Sequence, residues 1–266
     1  MHKLLREVRF CVNPFSADVP AGGNSYCCRP GADGFAIYFS LWVELEAKLN
    51  NETGFVVNVV DIDKIVRCYV VPLFYDEIYK SFNETRHVGF DRAFDLLGRS
   101  WAAIKDKFES AELISLGLNL APHRKITIKS EDSKLMTFGE KFEFAATHKL
   151  WNDSFSDQKN LEVFGKCANP NGHGHNYIVE VAVSINDKEK FSSFGFEETV
   201  IDEFLSVVDH KNLNVDVEEF AKVNPTVENI TTYAWRCLEG KFANAQLHSI
   251  TIWESDRMCC TYAGQF

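Results

Sequence analysis

Alternating apolar and polar positions predict β-strands in both halves of the chain. The clearest pattern is Lys141–His148, where every second residue from Phe142 to His148 lies on one face, because side chains two apart in a strand point the same way. A second apolar run, Ile178–Val183, predicts another strand directly after a polar segment. We therefore expect a sheet to which both halves contribute strands.

Apolar residues that recur every three or four positions predict helices between these strands, at 60–70, 87–108, 197–207 and 226–239. The last helix follows Pro225-Thr226, and its first turn contains Glu228, where a carboxylate is favourable at a helix N-terminus. Strands mixed with helices in this way indicate an α+β fold with an antiparallel sheet.

Matching patterns also indicate an internal repeat of about 130 residues, which is too long for a solenoid and fits duplication of a small domain. Three pairs of segments match, one from each half: Val8–Pro14 with Phe142–His148, Leu41–Ala47 with Ile178–Ser184, and 121–132 with 246–256, which share Ile-Thr-Ile. We therefore predict two tandem domains, 1–134 and 135–266.

A histidine motif at the start of a strand carries the clearest chemistry. His173 and His175 are two residues apart and share a face, and Cys167 lies six residues before the first. His148, at the end of an earlier strand, can join them if the two strands pair. Three neutral imidazoles with an open fourth position are typical of catalytic zinc, whereas structural sites have four ligands. The alternative is three unrelated histidines, each bonded to a polar neighbour.

From about Phe142 to Tyr262 the sequence resembles the 6-pyruvoyl-tetrahydropterin synthase family, which includes the bacterial 6-carboxy-tetrahydropterin synthases. The first half resembles this family much more weakly. The resemblance implies tunnelling-fold domains, with antiparallel strands backed by two helices, that assemble into a barrel. It rests on six segments in the family's order and spacing: Phe144–His148, Val163–Cys167, Asn169–Tyr177, Val208–Leu213, Pro225–Asn229 and Ile252–Ser255.

The resemblance also implies a substrate, 7,8-dihydroneopterin triphosphate, and a reaction that eliminates triphosphate and shifts hydrogens along the side chain. Zn²⁺ held by His148, His173 and His175 would bind and acidify the vicinal hydroxyls of that substrate. No external redox cofactor is then required. The six-residue spacing from Cys167 to His173 resembles that of the pyruvoyl-forming synthases, so the resemblance implies the pyruvoyl product rather than the carboxy product.

Three residues are the catalytic candidates that the resemblance implies. Cys167 would be the base, with its pKa lowered by zinc and by Lys166; a buried structural cysteine or a fourth zinc ligand are the alternatives. Asp209 would orient His210 as a proton relay. Adjacent residues do not face each other on a strand, so this pair should lie in an irregular loop; an ordinary surface loop is the alternative.

The resemblance also implies residues that recognise the substrate. Glu254 would anchor the pterin, because a carboxylate can accept two parallel N–H bonds from a ring nitrogen and its amino group. Thr226 and Glu228 would support the same pocket. The alternative for Glu254 is an ordinary carboxylate at the rim.

The first half keeps the shape of the repeat and lacks this chemistry. Three parts of the site have counterparts in the first half that lack its functional groups. Gly31–Phe35 stands in place of Gly172–His175, Pro72–Asp76 in place of the segment with Asp209 and His210, and Ser130 in place of Glu254. We therefore predict no more than one competent site per chain. The resemblance implies sites between domains, so we expect a homo-oligomer whose site joins the second halves of two chains.

Composition narrows the class of protein. Hydrophobic residues make up 45% and charged residues 25% of the 266 residues, and the net charge is −10, which argues against nucleic-acid binding. No apolar run of about 18 residues predicts a membrane span, and the N-terminus has no apolar signal core. The adjacent cysteines, Cys27-Cys28 and Cys259-Cys260, do not suggest a disulfide framework. We expect a cytoplasmic protein with reduced cysteines.

Three other functions stay open on the sequence. One is a 6-carboxy-5,6,7,8-tetrahydropterin synthase of deazapurine biosynthesis. Another is a zinc lyase or hydrolase that acts on a different pterin or on a purine. The third is a non-catalytic pterin-binding protein, since half of the chain lacks the site.

Overall fold

The computed structural model describes residues 1–15, 36–84 and 86–264. The chain divides into two compact units, Met1–Phe138 and Gly139–Phe266. The segment Gly31–Phe35 and the pair Cys27-Cys28 lie outside the described residues. In the part of the chain that the structure describes, no helix is long and apolar enough to cross a membrane.

The first unit is a four-stranded antiparallel arrangement backed by helices, in the strand order β1-β2-β3-β4. One face is buried because alternate residues such as Val8, Phe10 and Leu41 are apolar and fully or almost fully covered. Its elements are β1 (His2–Val12), β2 (Ile37–Ala47), α1 (Val59–Tyr69), α2 (Val71–Asn83), α3 (Phe90–Ile104), β3 (Glu112–Ala121) and β4 (Arg124–Lys129).

The second unit has the strand order β5-β6-β8-β9, and the short strand β7 pairs in parallel with β5. Its elements are β5 (Asp132–His148), α4 (Asp157–Phe164), a 3₁₀ turn (Gly165–Ala168), β6 (His173–Ile185), α5 (Ser193–Val200), a π-helical turn (Ile201–Leu205), α6 (Ser206–Val208), β7 (Lys211–Asn212), α7 (Leu213–Asp216), a second 3₁₀ turn (Glu218–Ala221), α8 (Val227–Leu238), β8 (Ala245–Ser255) and β9 (Met258–Tyr262). The boundary predicted after residue 134 falls inside β5, as does the observed boundary after Phe138.

The four predicted helices are present, as α1, α3, the continuous run from α5 to α6, and α8. Three further helices, α2, α4 and the four-residue α7, were not predicted. Pro72 interrupts the apolar pattern of α2 in the sequence, but it lies in the first turn, where proline is tolerated because that amide has no helical partner. α4 is only eight residues long.

The predicted match between β2 and β6 is wrong by one residue. Leu41 is fully buried, whereas Ile178, its predicted counterpart, is 37% exposed, and Val179 is fully buried. Leu41 therefore corresponds to Val179. A one-residue slip moves every side chain of a strand to the other face, so burial decides the register where the apolar letters alone did not.

The match between the two Ile-Thr-Ile segments is also wrong. Ile126–Ile128 lies on β4, the fourth strand of the first unit, whereas Ile250–Ile252 lies on β8, the third strand of the second unit. Both strands are buried on alternate residues, so the same apolar pattern arises at two different places in the sheet.

Candidate active site

The structure brings three histidines together where β5 ends and β6 begins. His148 continues the buried face of β5, and His173 and His175 open the buried face of β6. One ligand atom from each imidazole lies within 4.8 Å of the other two. The two-residue period of the strands therefore places all three rings on the same side of the sheet.

The proton on His148 is fixed by a backbone group. Nδ1 of His148 lies 2.7 Å from the carbonyl oxygen of Pro225, and His148 is only 2% exposed. A carbonyl oxygen only accepts, so Nδ1 carries the proton and Nε2 presents a lone pair. Nε2 points to the other imidazoles, with Nε2 of His173 at 3.1 Å.

This histidine cluster has the donor set of a metal site. Among the described residues, Nε2 of His175 is buried without a hydrogen-bond partner. Two nitrogen ligands of one tetrahedral zinc lie about 3.3 Å apart, close to the 3.1 Å between His148 and His173. Burial lowers the pKa of both His148 and His173, which favours the neutral form that binds metal.

Gly172 allows the chain to turn tightly just before His173. Its φ is +69°, and a Cβ there would lie 2.9 Å from the carbonyl oxygen of His148. Only glycine combines that backbone angle with so close an approach. The loop from Cys167 can therefore turn tightly against the end of β5 before His173.

Glu254 lies against the histidine cluster. Its Oε1 is 3.4 Å from Nε2 of His175 and 3.6 Å from Nε2 of His148, and its side chain is 13% exposed. Tyr177 is fully buried on the same face, and burial and the Glu254 charge raise its pKa. The predicted pterin anchor is therefore a partly buried carboxylate beside the histidines rather than a rim group.

Cys167 lies close to the same cluster, but its ionisation differs from the prediction. Its carbonyl accepts a 2.9 Å hydrogen bond from the amide of Leu150, two residues beyond His148. Burial, and then the charge of Glu254, raise the pKa of the thiol. Lys166 is exposed and is not among the groups that shift this pKa, so its expected lowering effect is wrong.

Asp209 and His210 lie in an irregular turn between α6 and β7, as the sequence indicates. Oδ2 of Asp209 is 2.9 Å from Nδ1 of His210, and Oδ1 of Asp209 accepts a 2.9 Å hydrogen bond from the amide of Ala145. Burial opposes ionisation of Asp209, but the Ala145 amide and His210 hold its pKa below the usual value. The side chain of His210 is 83% exposed, so it faces outward from its own unit.

The remaining two candidates serve the start of α8. The hydroxyl of Thr226 accepts a 3.3 Å hydrogen bond from the amide of Asn229 and caps the helix. Glu228 is exposed, and its charge contributes to the raised pKa of Cys260 after the larger effect of burial. In the described part of the chain, neither side chain forms a hydrogen bond or ion pair with the histidines.

Two parts of this site were missed by sequence reasoning. Tyr177 continues the face of His173 and His175 at the same two-residue spacing, so the strand pattern could have identified it. The Pro225 carbonyl could not have been found, because a backbone oxygen has no side-chain signature.

Comparison with known proteins relates the second half of the chain to one family. A family model described as 6-pyruvoyl tetrahydropterin synthase matches residues 137–265. The 6-pyruvoyl tetrahydrobiopterin synthase of Homo sapiens is 37% identical over 134 residues, covering 46% of this chain and 87% of that protein. The Drosophila melanogaster protein of the same name is 36% identical over 129 residues, covering 46% and 76%. The structure of Caenorhabditis elegans 6-pyruvoyl tetrahydropterin synthase is 34% identical, with a TM-score of 0.46, and covers 49% of this chain and 96% of that one.

Proposed function

The chain belongs to the 6-pyruvoyl tetrahydropterin synthase family, and we propose that its second unit is the catalytic one. Its activity is that of a 6-pyruvoyl-tetrahydropterin synthase, a carbon–oxygen lyase that removes triphosphate from 7,8-dihydroneopterin triphosphate. The observation that carries this function is the convergence of three histidine ligand atoms within 4.8 Å, in a unit 37% identical to a synthase of that name.

His148, His173 and His175 are the proposed metal ligands, and zinc is the proposed ion. Bound zinc would supply a Lewis acid for the vicinal hydroxyls of the substrate. The Pro225 carbonyl keeps the ring of His148 oriented with its lone pair inward, and orienting partners of this kind raise the basicity of a ligand.

The proton transfers are assigned to side chains of this chain. Cys167 as thiolate takes a proton from a side-chain carbon of the substrate, and triphosphate leaves with the electron pair of its carbon–oxygen bond. His210, oriented and charge-stabilised by Asp209, relays protons to and from the hydroxyl oxygens. Glu254 would receive N–H groups of the pterin, with Thr226 and Glu228 placing the start of α8 beside it. The net change redistributes hydrogens within the substrate, because each proton taken up by a side chain is returned, so no external oxidant is needed.

The first unit, 1–134 by the sequence boundary, is proposed to be a degenerate tunnelling-fold copy of 135–266. Each unit has four strands in sequential order, and the second unit has the additional short strand β7. In each, a ring of the first strand stacks on a ring of the second and meets a helical ring edge-on: Phe10, Phe39 and Phe74 in the first unit, and Phe144, Tyr177 and Phe204 in the second. The predicted match aligns Pro14 of the first half with His148 of the second, and the proline side chain has no atom that could bind a metal.

The proposed active form is a homo-oligomer in which strands of several chains form a barrel. β1 begins the strand order of the first unit and β9 ends that of the second, so each can offer backbone groups to another chain. The outward-facing ring of His210, 83% exposed, supports a site that this pair completes on a neighbouring chain.

Incubation of the pure protein with 7,8-dihydroneopterin triphosphate, followed by product identification with and without a chelator, tests this function. The expected result is a 6-pyruvoyl-tetrahydropterin, free triphosphate, and loss of turnover on chelation. A 6-carboxy product would instead support the deazapurine alternative. Pterin binding without any turnover of the zinc-loaded protein would contradict an enzymatic role.

A further inference from the structure

The backbone just after His148 is held by side chains from elsewhere in the second unit. Asn214, on α7, makes a paired contact with Lys149: its Oδ1 accepts from the Lys149 amide at 2.7 Å, and its Nδ2 donates to the Lys149 carbonyl at 2.9 Å. This is the pairing that a neighbouring strand residue would supply. Asn214 thus extends β5 by one position through a side chain.

The next three residues are held in a similar way. The amides of Leu150, Trp151 and Asn152 donate to three different partners, which are the carbonyl of Cys167 at 2.9 Å, Oδ1 of Asn224 at 2.8 Å and Oδ1 of Asn160 at 2.8 Å. Together with the Asn214 contact, these bonds tie the four residues after His148 to α4, the Cys167 turn, α7 and the segment before α8.

Asn214 differs from the other partners because it belongs to the loop of the proposed proton relay. That loop runs along β5 from Ala145 onward. The His210 amide donates to the Ala145 carbonyl at 2.6 Å, and Lys211 and Asn212 then pair with Ala146 and Thr147. The loop is therefore fastened to β5 at one end by Asp209 and His210 and at the other by Asn214.

His210 needs this support because of its own conformation. Its φ is +56°, an unfavourable angle for a residue with a Cβ, which persists only where surrounding contacts enforce it. Its side chain is mostly exposed, so packing does not fix the ring. Its position is set by the backbone of the loop and by Asp209.

We propose that Asn214 is a positioning residue that holds the Asp209–His210 turn in register with the strand that carries His148. Only the expected effect on kcat rests on the proposed function. The mechanical link, from Lys149 through Asn214 to the β7 pairing, is independent of substrate.

The first test needs no turnover. In Asn214→Ala, hydrogen exchange at the amides of His210 and Lys149 in the zinc-loaded protein should speed up by about tenfold or more, because local opening becomes easier. Zinc content should not change, since all three histidines and Pro225 remain. Asn83→Ala is the matched control: it removes an amide-to-carbonyl bond, from Asn83 to Tyr79 in the first unit, and should leave exchange at His210 unchanged. Unchanged exchange at His210 in Asn214→Ala would overturn the proposal.

The second test is a double-mutant cycle on kcat. Asn214→Ala should lower kcat by roughly 10- to 100-fold, the cost of misplacing a reacting group, with a much smaller change in KM. If Asn214 acts through His210, the same substitution in a His210→Ala background should lower kcat little further. Fully additive losses would overturn the proposal. Should Asn214→Ala fail to fold, Asn214→Asp, which keeps only the acceptor for the Lys149 amide, should give a smaller effect of the same pattern. An inactive wild-type protein would instead contradict the proposed function and leave the exchange test to decide this one.

Discussion

The carbonyl oxygen of Pro225 lies 2.7 Å from Nδ1 of His148, and this single contact fixes which nitrogen of the imidazole faces the other two histidines. The two residues are 77 positions apart in the chain. The start of α8 is thereby coupled to the end of β5, and the cluster is prepared for a cation before any ion binds.

The metal-free protein, kept in a chelator, should lose stability towards unfolding as the pH drops below 6.5, the ordinary pKa of histidine. Burial lowers the pKa of His148 and His173 in the folded state. As the pH falls, the unfolded chain therefore takes up protons before the folded chain does. Unfolding becomes more favourable from pH 6.5 down to the pKa values of the folded state. Urea unfolding in a chelator at several pH values measures this. The slope between about pH 7.5 and pH 5.5 should be smaller in His148→Gln; an identical slope would exclude His148 as a source.

Zinc should bind at one ion per chain, in the second unit. Among the described residues, the three histidines are the group that can hold a metal. His173→Ala should lose metal and activity together, because two imidazoles remain where catalytic zinc sites use three protein ligands. Elemental analysis after metal-replete purification checks both points. Two ions per chain, or full occupancy in His173→Ala, would disagree with this assignment.

Cys167→Ala should lower turnover by about 100-fold or more, the usual contribution of a general base, and should leave zinc bound and the fold intact. The thiol is assigned to proton transfer, so its removal should not release the ion. Product assays and zinc analysis on the same preparation separate the two roles. Release of zinc would identify Cys167 as a ligand instead.

Gly172→Ala should destabilise the fold by about 1–3 kcal/mol and weaken zinc binding, because the new Cβ would lie 2.9 Å from the His148 carbonyl oxygen. Gly240→Ala is the matched control. Its φ is +73°, close to the +69° of Gly172, but nothing lies within 4 Å of its Cβ position. The control should cost about 1 kcal/mol of backbone strain and keep its zinc affinity. Thermal unfolding and zinc titration distinguish crowding at His148 from strain alone.

Mixed oligomers should reveal whether the site is shared between chains. Cys167→Ala and His210→Ala are each expected to be inactive alone. If the Asp209–His210 pair serves a neighbouring chain, subunit exchange creates some sites with both groups intact, and activity should return in part. Persistent inactivity in oligomers shown to have exchanged would place the whole site within one chain.

The convergence of the three histidines could be predicted from the sequence because it follows from local geometry. His173 and His175 share a face through the two-residue period of a strand, and His148 ends a strand with the same alternation. The irregular turn at Asp209 and His210 was predictable for the same reason, since adjacent side chains diverge on a regular strand. Apolar periodicity likewise located four helices.

Only the tertiary structure decided what surrounds these groups. The Glu254 carboxylate lies beside the histidines and, after burial, raises the pKa of Cys167, reversing the shift expected from the adjacent Lys166. Asn214 pairs with the backbone of Lys149 across 65 residues. The correspondence between β2 and β6 depended on which residues pack inward. The sequence alone aligned Leu41 with Ile178, whereas burial aligns it with Val179. A side chain's face follows from its neighbours in sequence, but its charge environment and its hydrogen-bond partners come from residues that only folding brings near.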